Sequence, residues 1–75
     1  MLSHPEGAQI PRRLRPVLPL LAAGASNDEI ADALALSRHT VENYVSELKE
    51  RIGARDRVHL VLAIRVLLGQ EPAKN

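Results

Sequence analysis

Between Ser37 and Gly53 the chain runs RHTVENYVSELKERI with no proline or glycine, and this uninterrupted stretch constrains the rest. Ser37 is a residue that accepts an orphan N–H of a first turn, and Gly53 is one that takes the left-handed conformation closing a last turn. Val41, Val45, Leu48 and Ile52 recur at steps of four, three and four, which at about 100° per residue lays them on one narrow stripe. The spacing predicts a helix with one apolar edge turned to a core. Its opposite face carries His39, Asn43, Ser46 and Glu50, flanked by Glu42 and Lys49 on one side and Thr40 and Tyr44 on the other. These side chains hydrogen-bond outward.

A shorter helix is predicted just upstream. Ser26 followed three residues later by Glu29 forms a capping box, with Asp28 and Glu29 favourable at the positive end of the helix dipole. Ile30, Ala31 and Leu34 form its inner face, and Ala35-Leu36 leads directly into the cap at Ser37. Two helices joined by so few residues cannot run antiparallel along their length, so they cross steeply as a helix-turn-helix. Small Ala31 lets them approach, and Ile30, Leu34, Leu36 and Val41 fill the angle. Ala35 stands at a turn position where Gly is common, and with a Cβ there the turn is expected to keep a right-handed backbone.

The flanks are less regular. In Ile10 to Ala23, Leu14, Val17, Leu18 and Leu21 form a helical stripe interrupted by Pro11, Pro16 and Pro19. A helix starting near Arg15 places Pro16 at its first position and costs Pro19 only the first intrahelical bond; one starting near Arg12 is bent by both. A short or kinked helix ending at Gly24 is expected. After Gly53, Asp56 caps a last helix, Arg57 to Leu68, closed by Gly69 and Pro72. Its own core can cover Leu60, Val61, Ile64 and Leu67, which leaves Val58, Leu62 and Val66 exposed together as a partner surface, most simply for a second copy.

The chain's 75 residues suffice for one domain, and 45% hydrophobic with 25% charged residues is a globular balance. Residues 10–70 are assigned to that domain, 1–9 to a flexible leader or linker remnant, and 71–75 to a flexible tail. Apolar runs are too short to span a bilayer, and the absence of Cys fits a cytoplasmic setting. Net charge is +1, so composition alone does not announce a nucleic-acid binder. Arg12, Arg13 and Arg15 make the start basic, Asp28, Glu29 and Asp32 make residues 26–36 acidic, and 37–52 are balanced. His4, His39 and His59 form no i, i+4 pair, which argues against a metal site, and no cofactor is indicated. Ser37, His39 and Asp56 could be assembled into a triad by composition alone, but Ser37 is used as a cap and no nucleophile elbow or oxyanion motif is present. Catalysis is not expected.

The run LLAAGASNDEIADALALSRHTVENYVSELKERIGARDRV, Leu20 to Val58, combines G-x-SN-x-EIA, S-x-x-TV and G-x-R-x-R around the apolar stripe. It resembles the C-terminal DNA-binding domain of LuxR-type transcriptional regulators, the NarL/FixJ class. The resemblance implies an all-α, four-helix domain: helices two and three form the helix-turn-helix, the third enters the major groove of double-stranded DNA, and the fourth mediates homodimerisation. By position it assigns base-edge contacts to Glu42, Asn43 and Ser46, and phosphate contacts to Asn27, Thr40 and Lys49. Arg38 and His39, at the tip of the third helix, can reach either kind of partner; Arg38 is assigned to phosphate and His39 to a base. Tyr44 either wedges the helix or donates its hydroxyl to a phosphate. Val58, Leu62, Arg65 and Val66 are assigned to the dimer contact, and RNA polymerase is a further partner the resemblance allows; a membrane is not.

Two departures from the family pattern carry consequences. Glu42 stands where the family commonly has Lys, so a donor is replaced by an acceptor, for instance for cytosine N4. Leu14 replaces a usual Glu in the first helix. The alternative reading is a helical protein–protein interaction module on the same scaffold, with little DNA affinity.

Overall fold

The computed structural model describes residues 10–69, so the leader (1–9), the tail (71–75) and the closing Pro72 lie outside the described residues. A 3-10 turn at Arg12–Leu14 precedes four helices: α1 (Val17–Ala22), α2 (Asn27–Leu34), α3 (Arg38–Ile52) and α4 (Arg57–Gly69). The domain is all-α, as expected. Helix α2 packs on α3, and α1 packs on α4, with α3 resting against α4.

The prolines decide the shape of the amino-terminal segment. Leu14 N–H donates to the Pro11 carbonyl at 3.0 Å, closing the 3-10 turn, and Pro16 caps α1 with φ −62°. Pro19 is then the third residue of α1, within the first turn, where backbone N–H groups have no partner inside the helix, so its missing N–H costs little. The start after Arg15 therefore holds, and the helix is short. Leu14 is completely buried, which accounts for an apolar residue in place of a carboxylate.

All three of the first helices end in the same way. Gly24, Ala35 and Gly53 have φ of 88°, 58° and 81°. The residue after each reaches back five positions: Ala25 N–H to Leu20 carbonyl at 3.0 Å, Leu36 to Ala31 at 2.9 Å, and Ala54 to Lys49 at 2.9 Å. These bonds satisfy carbonyls that the helix end leaves orphaned. The right-handed backbone expected at Ala35 is thus wrong. Only a left-handed residue turns the chain so that Leu36 can both bond Ala31 and pack on the core, and an alanine carries that conformation at a steric cost of about 1–2 kcal/mol.

The cap of α2 is the reciprocal box: Glu29 N–H donates to Ser26 Oγ at 3.1 Å, and Ser26 N–H to Glu29 Oε1 at 2.8 Å. For α3, Thr40 N–H donates to Ser37 Oγ at 3.0 Å. For α4, His59 N–H donates to Asp56 Oδ1 at 2.8 Å, and the helix includes Gly69, one residue beyond the expected end. Leu14, Val17, Leu21, Ile30, Val41, Leu48, Leu60 and Ile64 are fully buried, drawing every helix into one core. Ile52, on the α3 stripe, is only half-buried where the helix runs out.

Replacing Ala35 by Gly removes the Cβ penalty at the left-handed position while making the unfolded chain more flexible. Ala35→Gly is expected to raise stability by about 0.5–1 kcal/mol, read as a higher urea midpoint with unchanged slope. A lowered midpoint would show that the turn is not strained by the methyl group.

Candidate nucleic-acid interface

Burial of Val41, Val45 and Leu48 forces the other side of α3 outward. His39, Glu42, Asn43, Ser46 and Glu50 are all exposed and form a polar ridge along the helix. His39, Asn43 and Ser46 have no side-chain hydrogen bond among the described residues, so their donors and acceptors face solvent. The sequence reading placed these residues together, and the fold does so.

Around the ridge sit the residues assigned to phosphates, each in a different state. Ser37 Oγ accepts from Thr40 N–H and donates to Thr40 Oγ1 at 2.9 Å, which leaves the proton of the Thr40 hydroxyl for another acceptor. Asn27 is the first residue of α2, and its Oδ1 accepts from Arg57 Nη1 at 2.8 Å, while Arg57 Nη2 donates to the Ala25 carbonyl at 2.9 Å. With its oxygen held, Asn27 presents its amide Nδ2 as the remaining donor. Lys49 is half-buried in a shallow cleft of about 300 Å³ shared with Ser46, Glu50, Ala54 and Arg55. Arg38 lies between two carboxylates, with Nε 3.4 Å from Asp28 Oδ1 and 3.4 Å from Glu42 Oε2.

Tyr44 packs against the core and carries the guanidinium of Arg13 over its ring, 5.9 Å from the centroid. The wedge role is present in the structure. Arg13 also donates twice to Glu47, at 2.6 and 2.8 Å, and Glu47 accepts from Arg51 Nε at 3.0 Å. This clasp joins the 3-10 turn to the middle of α3 and was not anticipated from the sequence. Only the Glu47–Arg51 step is a local signal, at i, i+4; the arrival of Arg13 depends on how α1 folds back.

The face assigned to dimerisation is split. Val58, Leu62 and Val66 are 70%, 52% and 60% exposed and share one side of α4. Arg65 is exposed too, but its Nε donates to the Ala22 carbonyl at 2.8 Å and so ties α4 to the end of α1. Arg57 does the same at the α1–α2 corner. The G-x-R-x-R motif was the signal for Arg57, although its role as a clamp was not legible there. Among the described residues, no group of three His, Cys, Asp or Glu side chains is placed to hold a metal ion, and no helix is long and apolar enough to cross a membrane. Ser37 and Asp56 are both spent on helix caps.

Residues 9–64 match the family described as bacterial regulatory proteins, luxR family. The chain belongs to the LuxR family. It is 44% identical over 64 residues to the response regulator RamR of Streptomyces coelicolor, covering 83% of this chain and 30% of that protein. It is 40% identical over 67 residues to YhcZ of Bacillus subtilis, an uncharacterized transcriptional regulatory protein, covering 88% and 31%. A third relative is the DNA-binding transcriptional activator DevR/DosR of Mycobacterium tuberculosis, 36% identical over 58 residues, or 77% of this chain and 27% of that one. The chain thus spans less than a third of the length of these relatives. As a LuxR-family regulatory domain it is not an enzyme.

The clamp at Arg57 lends itself to a direct test. Arg57→Ala removes two part-buried charged hydrogen bonds and is expected to lower stability by about 1–3 kcal/mol, read by urea denaturation followed by circular dichroism. Arg57→Lys should recover less than half, because one ammonium cannot span Asn27 and Ala25 as a planar fork does. A fully restored lysine variant would mean that charge alone matters.

Proposed function

We propose that this chain is the sequence-specific DNA-binding output domain of a bacterial transcription regulator, with α3 inserted in the major groove. The observation that carries the reading is the uncommitted polar ridge: His39, Asn43 and Ser46 are exposed in register on a helix whose other face is locked into the core. A rigid helix with free donors and acceptors on one side is what base-edge recognition needs. Membership of the LuxR family and the similarity to DevR/DosR support it.

In this reading Glu42, Asn43, Ser46 and His39 read base edges. The Asn27 amide, the Thr40 hydroxyl, Lys49 and Arg38 hold phosphates, setting the register of the helix in the groove. Tyr44 contributes its hydroxyl only at the ridge's edge, since its ring is packed. Residues 10–70 act as the DNA-binding unit. The apolar face of α4 pairs with a second copy, so that two α3 helices meet a pseudo-palindromic operator with half-sites about 10 base pairs apart or closer, depending on the dimer. That face is continuous with a cleft of about 320 Å³ beside Gly24, Ala25 and Val61, which supports burial against a partner. The setting is cytoplasmic, with RNA polymerase as a further partner.

Fluorescence anisotropy with a selected operator, repeated over a salt series, tests the central claim. Affinity should fall with salt along a slope corresponding to roughly three to five phosphates per protomer. No binding at low salt would instead favour a helical interaction module. Asn43→Ala should weaken specific binding by about 1–3 kcal/mol and leave non-specific binding nearly intact. Equal losses in both would make Asn43 a phosphate contact. For the dimer, Leu62→Asp should reduce self-association in sedimentation while the far-ultraviolet spectrum stays helical; an unchanged sedimentation profile removes Leu62 from the interface.

A further inference from the structure

Resting on the placement of α3 in the major groove, we infer that Glu42 selects a cytosine in each half-site and that Arg38 is the residue that positions it. Glu42 is exposed on the ridge next to Asn43 and one turn before Ser46. An ionised carboxylate only accepts hydrogen bonds. The amino donors of the major groove are cytosine N4 and adenine N6, but N6 lies beside N7, an acceptor whose lone pair faces an incoming carboxylate. Guanine presents two acceptors on that edge. Cytosine, with a donor and no acceptor there, is the base that a carboxylate at this position favours.

A negative side chain facing phosphates is repelled unless a cation accompanies it. Arg38 is that cation: its Nε lies 3.4 Å from Glu42 Oε2, one helical turn away, and 3.4 Å from Asp28 Oδ1 on α2. The guanidinium therefore lies within ion-pair range of both helices of the helix-turn-helix and draws the carboxylate toward one side of the ridge. All three side chains are at least half exposed, so these pairs are screened and open easily when a base arrives. Oε2 is the oxygen nearest Arg38, and a carboxylate has about four lone-pair sites on its two oxygens, so one ion pair leaves acceptor capacity for the N4 amino group.

The test is selection of binding sequences from a random duplex pool, followed by titration of the best operator. In a second duplex, each conserved cytosine in turn is replaced by a 2-pyrimidinone base lacking the 4-amino group. At one cytosine per half-site the unmodified protein should lose roughly tenfold in affinity. Glu42→Ala should lose nothing further from that replacement, and Glu42→Lys should select guanine at the same position. Arg38→Ala should flatten the discrimination while Arg38→Lys, which keeps the charge, retains it. If no sequence is enriched, the reading of α3 as a base reader fails with it. Should an operator be enriched but tolerate the missing amino group at every cytosine, only the assignment of Glu42 is overturned. Full discrimination in Arg38→Ala would overturn the positioning role of Arg38.

Discussion

The bond from Leu36 N–H to the Ala31 carbonyl, made possible by a left-handed Ala35, is the constraint on which the rest depends. It ends α2 and turns the chain within three residues, delivering Ser37 to the start of α3 in an extended conformation ready to cap. Without that reversal, the stripe of Val41, Val45 and Leu48 could not reach the same core as Ile30. Because that stripe is narrow, its burial also fixes the rotation of α3 about its own axis. The outward ridge is a consequence of packing: its residues face solvent because their opposite neighbours have nowhere else to go.

Two arginine clamps on α4 hold the first two helices in place around this elbow. Arg57 grips the α1–α2 corner through Asn27 and Ala25, and Arg65 reaches the end of α1. A third, Arg13, grips α3 from the amino-terminal side through Glu47. These contacts consume cations that a simple count would have assigned to phosphates, and Arg38 is shared between two carboxylates besides. On the proposed reading, the near-neutral ridge that results would favour specificity through hydrogen bonds over bulk attraction, since long-range electrostatic affinity scales with uncompensated charge. On the same reading a second copy on the same operator would add affinity, and the exposed apolar side of α4 is the surface proposed for it.

Much of this was legible from residues alone. The caps at Ser26, Ser37 and Asp56 were readable because each bond is local, spanning three residues. The ends at Gly24 and Gly53 followed from glycine's freedom at positive φ. Ala35 was misjudged for the complementary reason: local preference disfavours a left-handed alanine, and the bond to Ala31 together with burial of Leu36 overrode it. The Arg13–Glu47 clasp was invisible, since its partners are 34 residues apart.

The order and capping of the helices, and which edge of α3 is apolar, were determined by sequence, because spacing and short-range hydrogen bonds fix them before any tertiary contact forms. Which charged groups remain available to a partner was decided only by tertiary structure. Arg13, Arg38 and Arg57 are alike in sequence, yet one is clasped across the domain, one lies between two carboxylates in solvent, and one is part-buried against backbone and amide oxygens. Long-range pairing chooses among identical side chains by where the folded chain brings their partners, and no local pattern encodes that choice.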